Sequence, residues 1–162
     1  MPKTPTREAA VVEGRGPGVR VPPPVIVLLA LGLAWALQWV LPMQLGPPLL
    51  SLGAVVIFVA VGWIGWALLV LVRAGNDPRP DKPDSQFVAE GPYLWGRNPI
   101  YLGFVFFLAG VALSWGTLWA WLAVGGAFLA LDFLVIRREE VYLRARFPHD
   151  YPDYARRIRR WL

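Results

Sequence analysis

Apolar residues run in long blocks along this chain, and polar residues are confined to the gaps between them. The first block, Val25 to Leu41, lies between the prolines at 22–24 and Pro42, and its 17 residues make a helix about 26 Å long. It carries Trp35 and Trp39 and lacks a small-x-small site before Pro42, which separates it from a secretory leader. The second block, Leu49 to Val72, has 24 residues, about 36 Å as a helix. The third, Ile100 to Ile136, has 37 residues, and its length of about 55 Å is too great for one crossing of a hydrocarbon core about 30 Å thick. Ser114-Trp115-Gly116-Thr117 near its middle provides a break, so the block reads as a helical hairpin. The pattern predicts an all-α integral membrane protein with four transmembrane helices.

Charge then sets the topology. All 16 lysines and arginines fall in three places: before Val21, between Arg73 and Arg97, and from Arg137 onward. The connections around Pro42–Pro48 and Gly116 contain none. The excess of positive charge on cytoplasmic segments places both termini and the 73–99 loop in the cytoplasm, with the protein in the inner or plasma membrane. The expected organisation is a disordered cytoplasmic tail (1–20), two membrane helices (21–72), a Pro-rich cytoplasmic loop (73–99), the hairpin (100–136) and a cytoplasmic helical tail (137–162). A hydrophobic share of 56% and a charged share of 17% agree with a membrane class. The net charge of +5 fits a basic face against anionic lipid headgroups. No aromatic-studded groove or recognition motif accompanies it, so nucleic acid is not an expected partner. The chain has no cysteine and one histidine, His149. Disulfide scaffolds and thiolate sites are thereby excluded, and no metal is expected.

Candidate chemistry gathers at the charged end. In Arg97-Asn98-Pro99-Ile100-Tyr101, Pro99 suits the first turn of a helix and Asn98 suits its N-cap. The same helix start also offers unpaired amides to an anionic ligand group. Asp132, the one charge in the third block, pairs with an arginine or contacts a ligand; seven residues separate it from Glu139, so both fall on one face of a regular helix. Glu139 and Glu140 lie about 100° apart, so one at most faces a given pocket squarely. In the tail, Phe147, Tyr151, Tyr154, Ile158 and Trp161 are spaced as one helical face or as two short helices broken near Pro148 and Pro152. That face lies on a membrane surface or folds back over the 73–99 loop. The glycines at 62, 65, 103, 110, 125 and 126 are expected to let helices approach closely.

Two ordered blocks resemble a known family. Gly91-Pro92-Tyr93 with Arg97-Asn98-Pro99-Ile100-Tyr101-Leu102-Gly103 is similar to the signature of the membrane methyltransferases related to isoprenylcysteine carboxyl methyltransferase and phospholipid N-methyltransferase. Glu139-Glu140 followed by Leu143, Phe147, Tyr151, Tyr154 and Arg160-Trp161 resembles its second block, and Gly75-Asn76-Asp77-Pro78 to Lys82-Pro83 resembles the approach in bacterial members. The resemblance implies transfer of a methyl group from S-adenosylmethionine to an amphipathic or lipid-linked acceptor, on the cytoplasmic side. Tyr93, Asn98, Pro99, Tyr101, Leu102 and Gly103 would line the cofactor's amino-acid and sulfonium end. Glu139 and Glu140 would include the carboxylate that holds its ammonium or ribose hydroxyls. Arg97 and Asp132 are the candidates for a catalytic role. Asn98 stands where the eukaryotic prenylcysteine enzymes have histidine, which is closer to the phospholipid-methylating branch, and Phe147-Pro148 replaces the usual Phe-Gly. The expected reaction is isoprenylcysteine-carboxyl-methyltransferase-like, with phosphatidylethanolamine-type N-methylation as the alternative. A nicotinamide-dependent membrane reductase and a non-catalytic membrane adaptor are more distant readings. Acceptor and oligomeric state are not legible in the residues.

Overall fold

The computed structural model describes residues 17–77, 79, 82 and 85–162. The disordered tail expected at 1–20 lies outside the described residues as far as position 16, as do five positions of the Pro-rich loop. The named elements of the described residues are all helical: α1 (Pro23–Val40), α2 (Leu50–Arg73), a 3₁₀ turn (Gly91–Leu94), α3 (Pro99–Trp115), α4 (Leu118–Leu131), a π-helical turn (Asp132–Ile136), α5 (Arg137–Arg146) and α6 (Asp150–Arg157). Three rods are long and apolar enough to cross a bilayer, namely α1, α2 and the continuous 118–146 helix. Helix α3 is apolar but shorter, at 17 residues.

The hairpin breaks where the sequence predicts. Gly116 adopts φ 65° and ψ 20°, the left-handed conformation that ends a helix, and its N–H donates to Ala112 O. Thr117 follows as N-cap of α4, its hydroxyl accepting from Ala120 N. This uncharged corner is stitched to the equally uncharged α1–α2 connection. Leu45 N donates to Gly116 O (2.8 Å), Leu49 N to Leu113 O (2.9 Å) and Leu118 N to Met43 O (3.0 Å). Trp119 Nε1 reaches Leu41 O. Backbone groups that a bilayer cannot solvate are thereby satisfied within the protein.

Glycine lets α2 and α3 meet closely. A Cβ placed on Gly110 would lie 2.7 Å from Ile57 Cγ1 and 2.9 Å from Gly53 O, and one on Gly103 would lie 2.4 Å from Ile64 Cγ1. Gly53 completes the seam from α2. The other glycines expected to serve packing, at 62, 65, 125 and 126, face open space instead. Helix α1 packs on α4 through Ile26, Val27, Ala127 and Leu131, which belong to a core with Tyr101, Leu108, Val135 and Ile136.

Two expectations are corrected at the charged end. Asp132 and Glu139 do not share a face. The π turn at 132–136 inserts an extra residue into the helical register, so Glu140, eight residues on, takes the place beside Asp132. The tail breaks once, at Phe147-Pro148, because Pro152 sits in the first turn of α6, where a missing N–H costs nothing. Beyond Arg157 the chain is extended at Ile158 (φ −111°, ψ 131°), so Ile158 and Trp161 do not continue the face of Tyr151 and Tyr154.

Enlarging Gly110 should prise α2 from α3. Gly110→Val is expected to lower stability by about 1–3 kcal/mol through overpacking, whereas Gly62→Ala, with open space around it, leaves the thermal midpoint unchanged or raised. Thermal unfolding in detergent, followed by circular dichroism, reads both.

Candidate active site

A cavity of about 410 Å³ opens at the end of the bundle that carries the arginines. Its volume lies within the range of about 300–1,000 Å³ usual for small-molecule sites. The start of α3 forms one wall with Asn98, Pro99, Ile100 and Tyr101, and the 3₁₀ turn adds Tyr93. Helix α5 contributes Glu139, Tyr142 and Leu143, and the Pro-rich loop contributes Asn76, Gln86 and Phe87. Pro22, Pro23, Pro24, Leu68, Leu71 and Phe104 make the remaining wall apolar.

Residue by residue, the expected set divides. Tyr93, Asn98, Pro99, Tyr101 and Glu139 line the cavity, and Arg97 reaches it. Leu102 is buried in the helix packing, Gly103 faces Ile64 and Trp63 of α2, and neither Glu140 nor Asp132 borders the cavity. Glu139 accepts a short hydrogen bond from Tyr101 Oη, which joins α5 to α3 across the cavity.

Glu140 is engaged elsewhere. Arg160 forks onto it, Nε to Oε1 at 2.9 Å and Nη2 to Oε2 at 2.7 Å, and also donates from Nη1 to Asp132 Oδ1 at 3.2 Å. Arg97 Nη2 approaches Glu140 Oε1 at 3.4 Å, and Arg137 Nε meets Asp132 Oδ2 at 3.2 Å. The hydrogen bonds that Arg160 donates to Glu140, aided by the charge of both carboxylates, raise the Arg160 pKa above its ordinary value. Such a fork is the strong, geometrically specific form of ion pair.

The extended C-terminal residues are held by the same site. Arg97 N donates to Arg159 O (3.0 Å) and Asn98 Nδ2 to Arg160 O (2.9 Å). The amide of Asn98 therefore serves the tail, and the N-cap bond expected of it is absent. A Cβ on Gly96 would fall 1.9 Å from Trp161 O, so the tail can cross here only above a glycine. The Trp161 ring stacks on Phe128 of α4 with centroids 4.5 Å apart.

Helix α6 folds back over the loop. Tyr154 Oη donates to Tyr93 O at 2.5 Å. Phe87 packs its ring against Phe147, Tyr151 and Tyr154 at centroid distances of 5.3–6.2 Å. Asn76, buried, pins the loop from the other side: Oδ1 accepts from Ser85 N and Gln86 N, and Nδ2 donates to Gln86 O. Sequence reasoning gave Phe87 and Gln86 no role, and their only signal is that Gly75-Asn76 marks a turn ahead of them. Desolvation raises the pKa of both Tyr151 and Tyr154, opposed in part by Arg97. Arg97 donates from Nη1 to Tyr151 Oη at 3.3 Å, while its Nε is buried without a hydrogen-bond partner. Asp77, at the mouth, is held down to about 2 by its hydrogen bonds from Arg79. Among the described residues, no group of His, Cys, Asp and Glu is arranged to hold a metal.

A family model described as phospholipid methyltransferase matches residues 43–150, which contain both resembling blocks up to Asp150. A 57-residue stretch of the chain is 40% identical to an uncharacterized protein of Haemophilus influenzae, covering 32% of this chain and 89% of that protein. No solved structure matches the chain.

The geometry makes two predictions. Arg160→Gln removes the fork and should free the tail, so amide hydrogen exchange at 97 and 158–162 accelerates by about tenfold or more, with α2 and α3 unaffected. Tyr154 and Tyr151 keep their protons in the folded protein at pH values where the unfolded chain loses them, above about 10. Stability should therefore fall as pH rises beyond about 10, and Tyr154→Phe should flatten that fall in denaturant titrations.

Proposed function

The chain belongs to the phospholipid methyltransferase family of membrane methyltransferases, and on that premise we propose that it transfers a methyl group from S-adenosylmethionine to a lipid-linked or amphipathic acceptor. We further propose four bilayer crossings with both termini and the cavity on the cytoplasmic side. The distribution of charge supports this orientation, since the two stitched connections carry no Lys or Arg and the opposite end carries them all.

The observation that carries the reading is the composition of the cavity wall. Glu139 faces a space walled largely by Tyr93, Tyr101, Tyr142, Phe87 and apolar side chains, with Asn98 and Arg97 beside the first turn of α3 and Asp77 and Arg79 at the mouth. These residues fit the cofactor. Glu139 suits its ammonium or ribose hydroxyls, and the α3 amides suit its carboxylate. Tyrosine and phenylalanine faces attract a cation by about 0.5–2 kcal/mol. The orphaned Nε of Arg97 leaves a buried donor, normally a cost of about 1–3 kcal/mol, available to an anionic oxygen. When bound, the sulfonium supplies an electrophilic methyl group.

The chain's own task is then to align donor and acceptor and to exclude water. Phe87 and α6 cover the cavity from the loop side, and Pro22–Pro24, Leu68 and Phe104 provide an apolar wall for the acceptor's hydrophobic body. A carboxylate acceptor needs no proton acceptor. An amine must lose a proton first, and the carboxylates that border the cavity are Glu139 and, at its mouth, Asp77. Asp132 is poorly suited, being outside the cavity and paired with Arg137 and Arg160. Glu139 is the feature that favours the second reading, N-methylation of an aminophospholipid, by attracting an ammonium group.

Purified protein incubated with methyl-labelled S-adenosylmethionine and a membrane lipid extract should place label in the organic phase, and Glu139→Gln should lower it about tenfold or more. Base treatment separates the two readings: methyl esters release labelled methanol, whereas methylated amines retain the label. A folded protein that labels no lipid, peptide or small amphiphile would overturn the proposal.

A further inference from the structure

A second cavity, of about 470 Å³, lies away from the candidate active site, in the groove between α1 and α4. It is lined on α1 by Ile26, Leu29, Ala30, Leu33, Ala34 and Leu37, and on α4 by a single face running from Trp119 through Ala123, Gly126 and Ala130 toward Leu134. Small residues form its floor. Its rims are Leu29 and Leu33, each exposed by more than 60%, together with Leu122.

Length and end charges select the occupant. From Trp119 to Leu134 the groove follows 15 residues, about 22 Å of helix, a narrow apolar track between α1 and α4 with small residues along its floor.

The two ends differ. At the uncharged end the Trp119 indole is tied to Leu41 O, and no Lys or Arg lies there. At the other end, beside Val21 and Leu134, lie exposed Arg20, half-exposed Arg137 and Arg138, which donates to Gly18 O at 3.2 Å. Asp132 is the nearby carboxylate, and it is already paired with Arg137 and Arg160. The groove is thus apolar along its length and cationic at the end that carries the arginines.

We propose that this groove binds one acyl chain of an anionic phospholipid of the leaflet on the arginine side, with the lipid phosphate held by Arg20 and Arg138. The site is independent of the methyl-transfer reading, since none of its lining residues borders the first cavity.

Native mass spectrometry of the full chain released from detergent tests this with phosphatidylglycerol and phosphatidylcholine of identical chains. The parent should retain one phosphatidylglycerol at about tenfold or greater abundance over phosphatidylcholine. Arg20→Gln with Arg138→Gln should abolish the preference, and Ala123→Phe, which fills the floor, should remove the bound lipid of either kind. The double arginine variant alters no residue of the apolar lining, so it remains decisive if the filled variant does not fold. Equal retention of the two lipids by the parent, unchanged preference in the arginine variant, lipid bound as before to folded Ala123→Phe, or a dimer that Ala123→Phe dissociates would each overturn the proposal.

Discussion

The Arg160 guanidinium organises the functional end of this molecule. It joins Glu140 of α5 to Asp132 of the π turn while its own backbone carbonyl receives the side chain of Asn98 at the start of α3. The start of α3 and the contiguous π turn and α5, more than 30 residues later, thereby meet at one residue of the C-terminal segment. Burying two carboxylates beside the membrane is costly unless each is paired and hydrogen-bonded. Here Arg160, Arg97 and Arg137 supply the pairing. The network occupies Glu140 and leaves Glu139, one residue earlier and about 100° around the helix, as the α5 carboxylate that borders the cavity. The division of labour between adjacent glutamates follows from helical geometry once the arginine is in place.

Rigidity on one side of the cavity contrasts with its cover on the other. The α2–α3 seam, closed by Gly53 and Gly110, and the stitched uncharged corner fix the helices that support the α3 start. The cover is made of ring contacts from Phe87 and a few hydrogen bonds from Asn76. A methyltransferase needs this combination, because its site must admit two ligands and then exclude water around the reacting sulfonium.

Most of the helical architecture was legible in the sequence because it rests on local physics. Block lengths of apolar residues, a Gly-Thr break and the grouping of arginines each act over a few residues, and helices α1, α2 and the hairpin appear where those signals place them. What was not legible depends on register and on distant partners. No residue pattern announces the π turn, so the sequence pairs Asp132 with Glu139, whereas the structure sets Glu140 there. Asn98 has the composition of an N-cap, but the tail carbonyl of Arg160 captures its amide from 62 residues away. Glycines 62 and 126 look like packing residues, yet only a three-dimensional arrangement decides which glycine faces a neighbour. The site was legible in its residue types, through resemblance, more than in their arrangement.

The central claim is that Glu139 and the α3 start form a cofactor site for S-adenosylmethionine, and calorimetric titration with S-adenosylhomocysteine tests it most directly. The account predicts saturable binding by the detergent-purified protein, weakened about tenfold or more by Glu139→Gln, and no comparable binding of NADPH. Folded protein that binds no S-adenosylhomocysteine, binds it equally well after Glu139→Gln, or binds NADPH instead would contradict the account.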